Sequence, residues 1–119
     1  MNLPENDYFI CIPYRTEIRH DYAFHFKNTM RARKHKSGLD YSKIVIITST
    51  DYISSTGTII DKDEFNETMI NLDRIKAEAL KYVEDYTAHM KGVRILHKKE
   101  FERRYGFSPL KYFHKELGI

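Results

Sequence analysis

The chain is poor in residues that many protein classes depend on: one cysteine, no tryptophan, three prolines and five glycines among 119 residues. A lone Cys11 builds neither an internal disulfide nor a thiolate metal cluster, and it points to a reducing compartment. The glycines are scattered, with Gly38 and Gly57 each standing alone, so the Walker loop and the dinucleotide fingerprint are both missing and no cofactor is expected. No apolar run approaches a membrane span, and residues 1–7 carry neither a basic leader nor the apolar stretch of a signal peptide. A cytoplasmic protein without membrane attachment is the expectation. The length suits one domain over 1–119 and excludes a two-lobed enzyme with a cleft between its halves.

Hydrophobic residues make up 41%, with seven Phe and nine Tyr, which is enough for a folded core even though 31% of the residues are charged. The net charge of +3 conceals a partition: residues 1–13 carry −2, 14–43 carry +5, 44–50 are uncharged, 51–86 carry −5 and 87–119 carry +5. Two basic blocks around an acidic one suggest a polyanion-binding surface made from the first and last thirds, densest at Arg31-Ala32-Arg33-Lys34-His35-Lys36. Ordinary charge clustering on a solvated surface is the plainer alternative.

Patterning predicts strands first and helices afterward. A buried strand is expected over 8–12, ending at Pro13, and a half-buried strand over 20–27, where Tyr22, Phe24 and Phe26 alternate with Ala23, His25 and Lys27. The basic stretch 28–40 loses its periodicity and holds Ser37-Gly38, so it reads as an exposed loop. The β-branched run 43–48 is a strand, with a further short strand over 56–60. Helical spacing then links Phe65, Met69, Leu72, Ile75, Ala79, Val83, Tyr86 and Met90, opened by an Asp61/Glu64 capping pair and stopped at Gly92. Asn71-Leu72-Asp73 is a point where it divides, with Asp73 as cap. A basic helix over 98–105 closes at Gly106, and Ser108-Pro109 opens a last helix to about Leu117. The expected fold is α+β, strand-rich over 8–60 and helical over 61–117, a twisted antiparallel sheet with helices packed on it.

Six histidines raise the question of a metal site, and their spacing answers against it. His20 and His25 lie five apart, on opposite faces of a regular strand, and His89 and His97 straddle Gly92. Cys11, in mid-strand and in apolar company, reads as an inert thiol. The stretch from Pro13 to Lys27 instead offers guanidinium, hydroxyl, imidazole and phenol groups close together. That inventory suits metal-free RNA cleavage, in which the neighbouring 2′-hydroxyl attacks the phosphate. Arg15 is suited to bidentate contact with phosphate oxygens, and His20 or His25 to proton transfer. The competing reading makes Arg15, Glu17, Arg19 and Asp21 exposed ion pairs and His20 a surface turn residue.

The runs Asp7-Tyr8-Phe9-Ile10-Cys11-Ile12-Pro13-Tyr14-Arg15-Thr16-Glu17-Ile18 and Lys36-Ser37-Gly38-Leu39-Asp40-Tyr41-Ser42-Lys43-Ile44-Val45-Ile46-Ile47 resemble the toxins of type III toxin-antitoxin systems, most closely the TenpIN group and more distantly ToxN and AbiQ. The likeness continues through Tyr22-Ala23-Phe24-His25-Phe26-Lys27 and, more loosely, to Gly92. It implies a MazF/Kid-like fold and a metal-independent endoribonuclease leaving a 2′,3′-cyclic phosphate and a 5′-hydroxyl. It also implies inhibition by a pseudoknot RNA antitoxin, in a closed protein–RNA assembly, with cellular mRNA as substrate. In ToxN-like members a Pro-x-Thr-Ser segment at a strand end contributes to the catalytic groove; the matching run here is Pro13-Tyr14-Arg15-Thr16. The resemblance therefore assigns catalysis first to Arg15 and Thr16, then to His20, His25 and Lys27. The RNA-binding surface expected comprises Tyr14, Arg19, Tyr22, Arg31, Arg33, Lys34, Lys36 and Lys43. Related toxins begin with a further strand segment, so a domain lacking an N-terminal strand is expected. The alternatives are a noncatalytic RNA-binding protein on the same scaffold and a small basic phage or plasmid interaction protein.

Overall fold

A computed structural model describes residues 8–48 and 62–119, the side chain of Arg31 excepted. The fold is α+β, and among the described residues five short strands form two antiparallel sheets rather than the single sheet expected. β1 (Phe9–Cys11) pairs with β5 (Val45–Ile47), which sets Ile10 opposite Ile46. Both are buried, while Phe9, Cys11, Val45 and Ile47 stay half-buried, the alternation a one-sided core demands. In the second sheet β2 (Tyr14–Arg15) and β3 (Ala23–His25) flank β4 (Gly38–Asp40), so the central strand is the last of the three in sequence. The chain passes between the sheets twice. Pro13 follows β1 and its carbonyl accepts the Asp40 amide at 3.0 Å, and a 3-10 turn, Tyr41–Lys43, carries β4 into β5.

The expected loop at 28–40 is not a loop. Thr29 accepts the Ala32 amide and opens α1 (Met30–His35), which ends where Lys36 turns left-handed at φ 48°. Ala32 is buried and β4 follows directly. Periodicity misses this because six residues are too few to display it. Gly38, which reads as a turn former, is in the sheet for a steric reason: a Cβ there would lie 2.2 Å from the Phe24 carbonyl oxygen. The expected strand over 20–27 contracts to Ala23–His25, and the one over 56–60 lies outside the described residues.

The long helix divides where expected, into α2 (Lys62–Ile70) and α3 (Leu72–Met90). Asn71, not Asp73, makes the junction: its side chain donates to the Glu67 carbonyl at 2.8 Å and closes α2, while Asp73 lies inside the first turn of α3. Asp61 lies outside the described residues. Ile75, Ala79, Val83 and Tyr86 form the buried stripe of α3 and meet Ile10, Ile44 and Ile46 in the core, but Phe65, Met69 and Met90 are exposed. In α2 the buried residues are Glu64 and Glu67. Gly92, left-handed at φ 73°, terminates the segment.

α4 (Lys98–Tyr105) opens on His97, whose ring accepts the Lys99 amide, and supplies the buried Tyr105. Ser108 caps and Pro109 begins the next turn, which is a 3-10 segment, Pro109–Tyr112; after Phe113 the chain forms α5 (His114–Leu117). Leu110, in the 3-10 segment, is fully buried. Among the described residues no helix is long and apolar enough to cross a membrane.

Candidate functional site

The three-stranded sheet gathers the residues that the sequence singles out. Arg15 and His25 both pair with Gly38, one from each side, so their side chains project from the same face across a position with no side chain. Two residues along β4, on that same face, stands Asp40, which is buried. Its Oδ1 accepts the Ser42 amide at 2.9 Å and the Ser42 hydroxyl at 2.6 Å, with His20 Nε2 at 3.2 Å, while Arg15 lies 3.6 Å from Oδ2. A carboxylate surrounded by donors is a stable buried charge, and here it anchors the 14–20 segment to the start of the 3-10 turn.

These bonds fix the imidazole protonation patterns. The Tyr22 amide donates to His20 Nδ1 at 3.1 Å, so Nδ1 is unprotonated and Nε2 carries the hydrogen, directed at Asp40 Oδ1 and at Ser42 Oγ 3.2 Å away. Ser42 therefore donates to Asp40 rather than to His20, and this trio is not wired as a nucleophilic triad. His25 Nε2 lies 2.8 Å from the His20 carbonyl, to which only an N–H can donate. That leaves the lone pair of neutral His25 on Nδ1. His20 and His25 are thus adjacent, contrary to the expectation of opposite faces, because the regular strand begins only at Ala23.

The remaining predicted residues separate into two groups. Thr16 is exposed and, with Met30, Lys34 and His35, lines a shallow depression of about 430 Å³. Arg33, Lys34 and Lys36 are exposed along α1 and its end, with no acidic partner among the described residues. Lys27 is exposed, and its amide donates to Glu67. Others are committed to contacts within the fold. Arg19 lies 3.8 Å from Glu17, Lys43 donates to the Phe107 carbonyl at 2.8 Å, and Tyr22 is half-buried against His20 with ring centroids 6.0 Å apart. The Tyr14 hydroxyl donates to Glu64 at 3.2 Å, leaving the ring 40% exposed. Arg31 belongs to α1.

The C-terminal basic block contributes less free charge than its count suggests. Buried Asp85 draws Lys81 and Arg94 to 2.8 Å and Arg104 to 3.5 Å, and Glu100 takes Arg103 and Arg104. Among the described residues, Lys27, Arg33, Lys34 and Lys36 in the first basic block have no acidic side-chain partner. Sequence reasoning missed Asp40 and Ser42, whose one local signal is the Asp-x-Ser spacing of a turn cap. It also missed Glu67, which nothing local marks. Comparison with known proteins found no matching family model, no matching curated protein and no matching solved structure.

Proposed function

We propose that the protein is a metal-independent endoribonuclease of the type III toxin kind, built on a MazF/Kid-like variant of the α+β fold and restrained by an RNA antitoxin. The observation that carries the proposal is the pairing of Arg15 and His25 across Gly38, beside His20. A phosphodiester held between the side chains that flank buried Gly38 meets a guanidinium on one side and an imidazole lone pair on the other. His25 Nδ1 takes the proton of the 2′-hydroxyl as its oxygen bonds to phosphorus. The bond to the 5′-oxygen breaks, and that oxygen gains a proton, giving a 2′,3′-cyclic phosphate and a 5′-hydroxyl. Arg15 on β2 and Lys27, which follows His25 on the other side of β4, offset the charge that builds on the phosphorane. Thr16 and the cations of α1 extend the contact along the RNA strand.

His20 is the candidate acid, under one constraint. It delivers a proton only as imidazolium, and protonating Nδ1 displaces the Tyr22 amide. That bond is the specific observation favouring the second reading, a noncatalytic RNA-binding protein in which His20 only braces the turn. Incubation of purified protein with total RNA in EDTA, followed by end mapping, separates the two. Cyclic-phosphate ends that vanish in Arg15→Ala support the nuclease. Binding without cleavage leaves the second reading, and cleavage abolished by EDTA defeats the metal-free scheme.

A further inference from the structure

α2 is built the wrong way round for a helix held by apolar burial. Its inward residues are Glu64 and Glu67, 1% and 7% exposed, and its outward ones include Phe65, Met69 and Ile70, the last 83% exposed. The inward carboxylates meet groups of a particular kind. Glu67 accepts two successive main-chain amides, Lys27 on Oε2 at 2.9 Å and Asn28 on Oε1 at 3.1 Å. One turn earlier on the same helix, Glu64 accepts the Tyr14 hydroxyl. Two adjacent amides converging on one anion, each donating to a different oxygen, reproduce how main chain holds a phosphate. Residues three apart on a helix have Cβ atoms roughly 5–6 Å apart. That separation is comparable with the distance between neighbouring phosphates on a single strand.

We infer that the amides of Lys27 and Asn28, together with the Tyr14 hydroxyl, form a binding site for consecutive phosphates of single-stranded RNA, closed by the Glu67 and Glu64 carboxylates of α2. The ligand class rests on the proposed RNA-directed function; the anion site itself rests on the hydrogen bonds. Neighbouring charge fits such a ligand: Lys27 is exposed beside the amides, and Arg33, Lys34 and Lys36 follow on α1. The fold permits opening. α2 is nine residues long, too short to gain much from its own helicity, and the break at Asn71 separates it from α3. RNA that displaces α2 exchanges two carboxylates for two phosphates on the same donors.

The test follows binding apart from cleavage, using an uncleavable 2′-O-methyl RNA hexamer and the whole chain labelled with ¹⁵N. In Glu67→Gln the hexamer should bind tighter by between about tenfold and a hundredfold, the worth of one charge-assisted competitor. The Lys27 and Asn28 amide resonances should be the ones that move furthest. In the unaltered protein, saturating hexamer should speed hydrogen exchange along α2, because the helix must leave its seat, while the Lys27 and Asn28 amides stay protected on phosphate; this readout stands even if the variant folds poorly. Unmoved amides, or equal affinity in a folded Glu67→Gln, overturn the inference. The nuclease reading fails separately: amides that respond while unmodified RNA stays intact keep the site and remove the catalysis. Cleavage with unresponsive amides does the reverse.

Discussion

Tyr82 and Tyr105 hold each other's segments in place. The Tyr105 hydroxyl donates to the Tyr82 carbonyl at 2.7 Å, the Tyr82 hydroxyl donates to the carbonyl of Arg104 at 2.6 Å, and the ring centroids are 4.6 Å apart. The pair fastens α4 onto α3 through main-chain acceptors, and burial pushes both phenols well above the ordinary tyrosine value. The unfolded chain releases these protons near pH 10, the folded protein later, so their contribution to stability is complete below about pH 10 and declines as pH rises further. Urea midpoints measured from pH 7 to 11.5 should fall above pH 10. The double variant Tyr82→Phe/Tyr105→Phe should be less stable by about 1 kcal/mol per lost bond and show a flatter decline. A decline of unchanged steepness would refute the assignment.

Asp40 serves four donors while buried, so its removal should be felt throughout the three-stranded sheet. Asp40→Ala should cost about 3 kcal/mol, most of it from the orphaned Ser42 amide and His20, since half-exposed Arg15 can turn to water. Asp40→Asn, which retains an acceptor for the Ser42 amide, should cost less. Denaturant unfolding measures both, and equal losses would contradict this division.

Glu17 and Lys36 are left-handed without being glycine, at φ 56° and φ 48°, and the Ile18 amide donates to the Lys36 carbonyl beside them. Lys36→Gly should relieve roughly 1 kcal/mol of backbone strain and raise the melting temperature. It should also weaken RNA binding, because Lys36 is one of the cations assigned to the strand. Stability and affinity that change in the same direction would count against that assignment.

For RNA affinity itself, the triple variant Arg33→Ala/Lys34→Ala/Lys36→Ala should flatten the dependence of log K on log salt by about 0.7 for each phosphate no longer neutralised. The same substitutions made at Arg94, Arg103 and Arg104 should alter the slope little, as those side chains serve Asp85 and Glu100.

For catalysis, His25→Asn should lower the cleavage rate between about 10²-fold and 10⁴-fold with RNA binding nearly intact. Arg15→Ala should reduce both. Single-turnover assays under excess protein separate rate from binding.

Much of the fold is legible in the sequence because its cues are local. β1, β5, the buried stripe of α3, the stop at Gly92 and the cap at Ser108 each follow from a few adjacent residues. The division at Asn71 is also legible, though not its cap, because Asn and Asp two residues apart offer the same signal. What escapes depends on distant partners. Gly38 reads as a turn until Phe24 lies beside it, Glu64 reads as the partner of an Asp61 cap until Tyr14 faces it, and nothing local marks Glu67 for the 27–28 amides. In the site, Arg15 and His25 are legible as chemistry, and their alignment is not, since it comes from register on β4. Counting residues overstates the unpaired charge of the C-terminal block, because Asp85 lies 9 and 19 residues from the arginines it binds.

The order of the strands has a consequence for biosynthesis. β4 is central but is made after both of its neighbours, so a growing chain that ends before Gly38 offers β2 and β3 nothing to pair with. Arg15, His25 and Asp40 meet only once residue 40 has left the ribosome, and any activity seated there stays silent in shorter nascent chains.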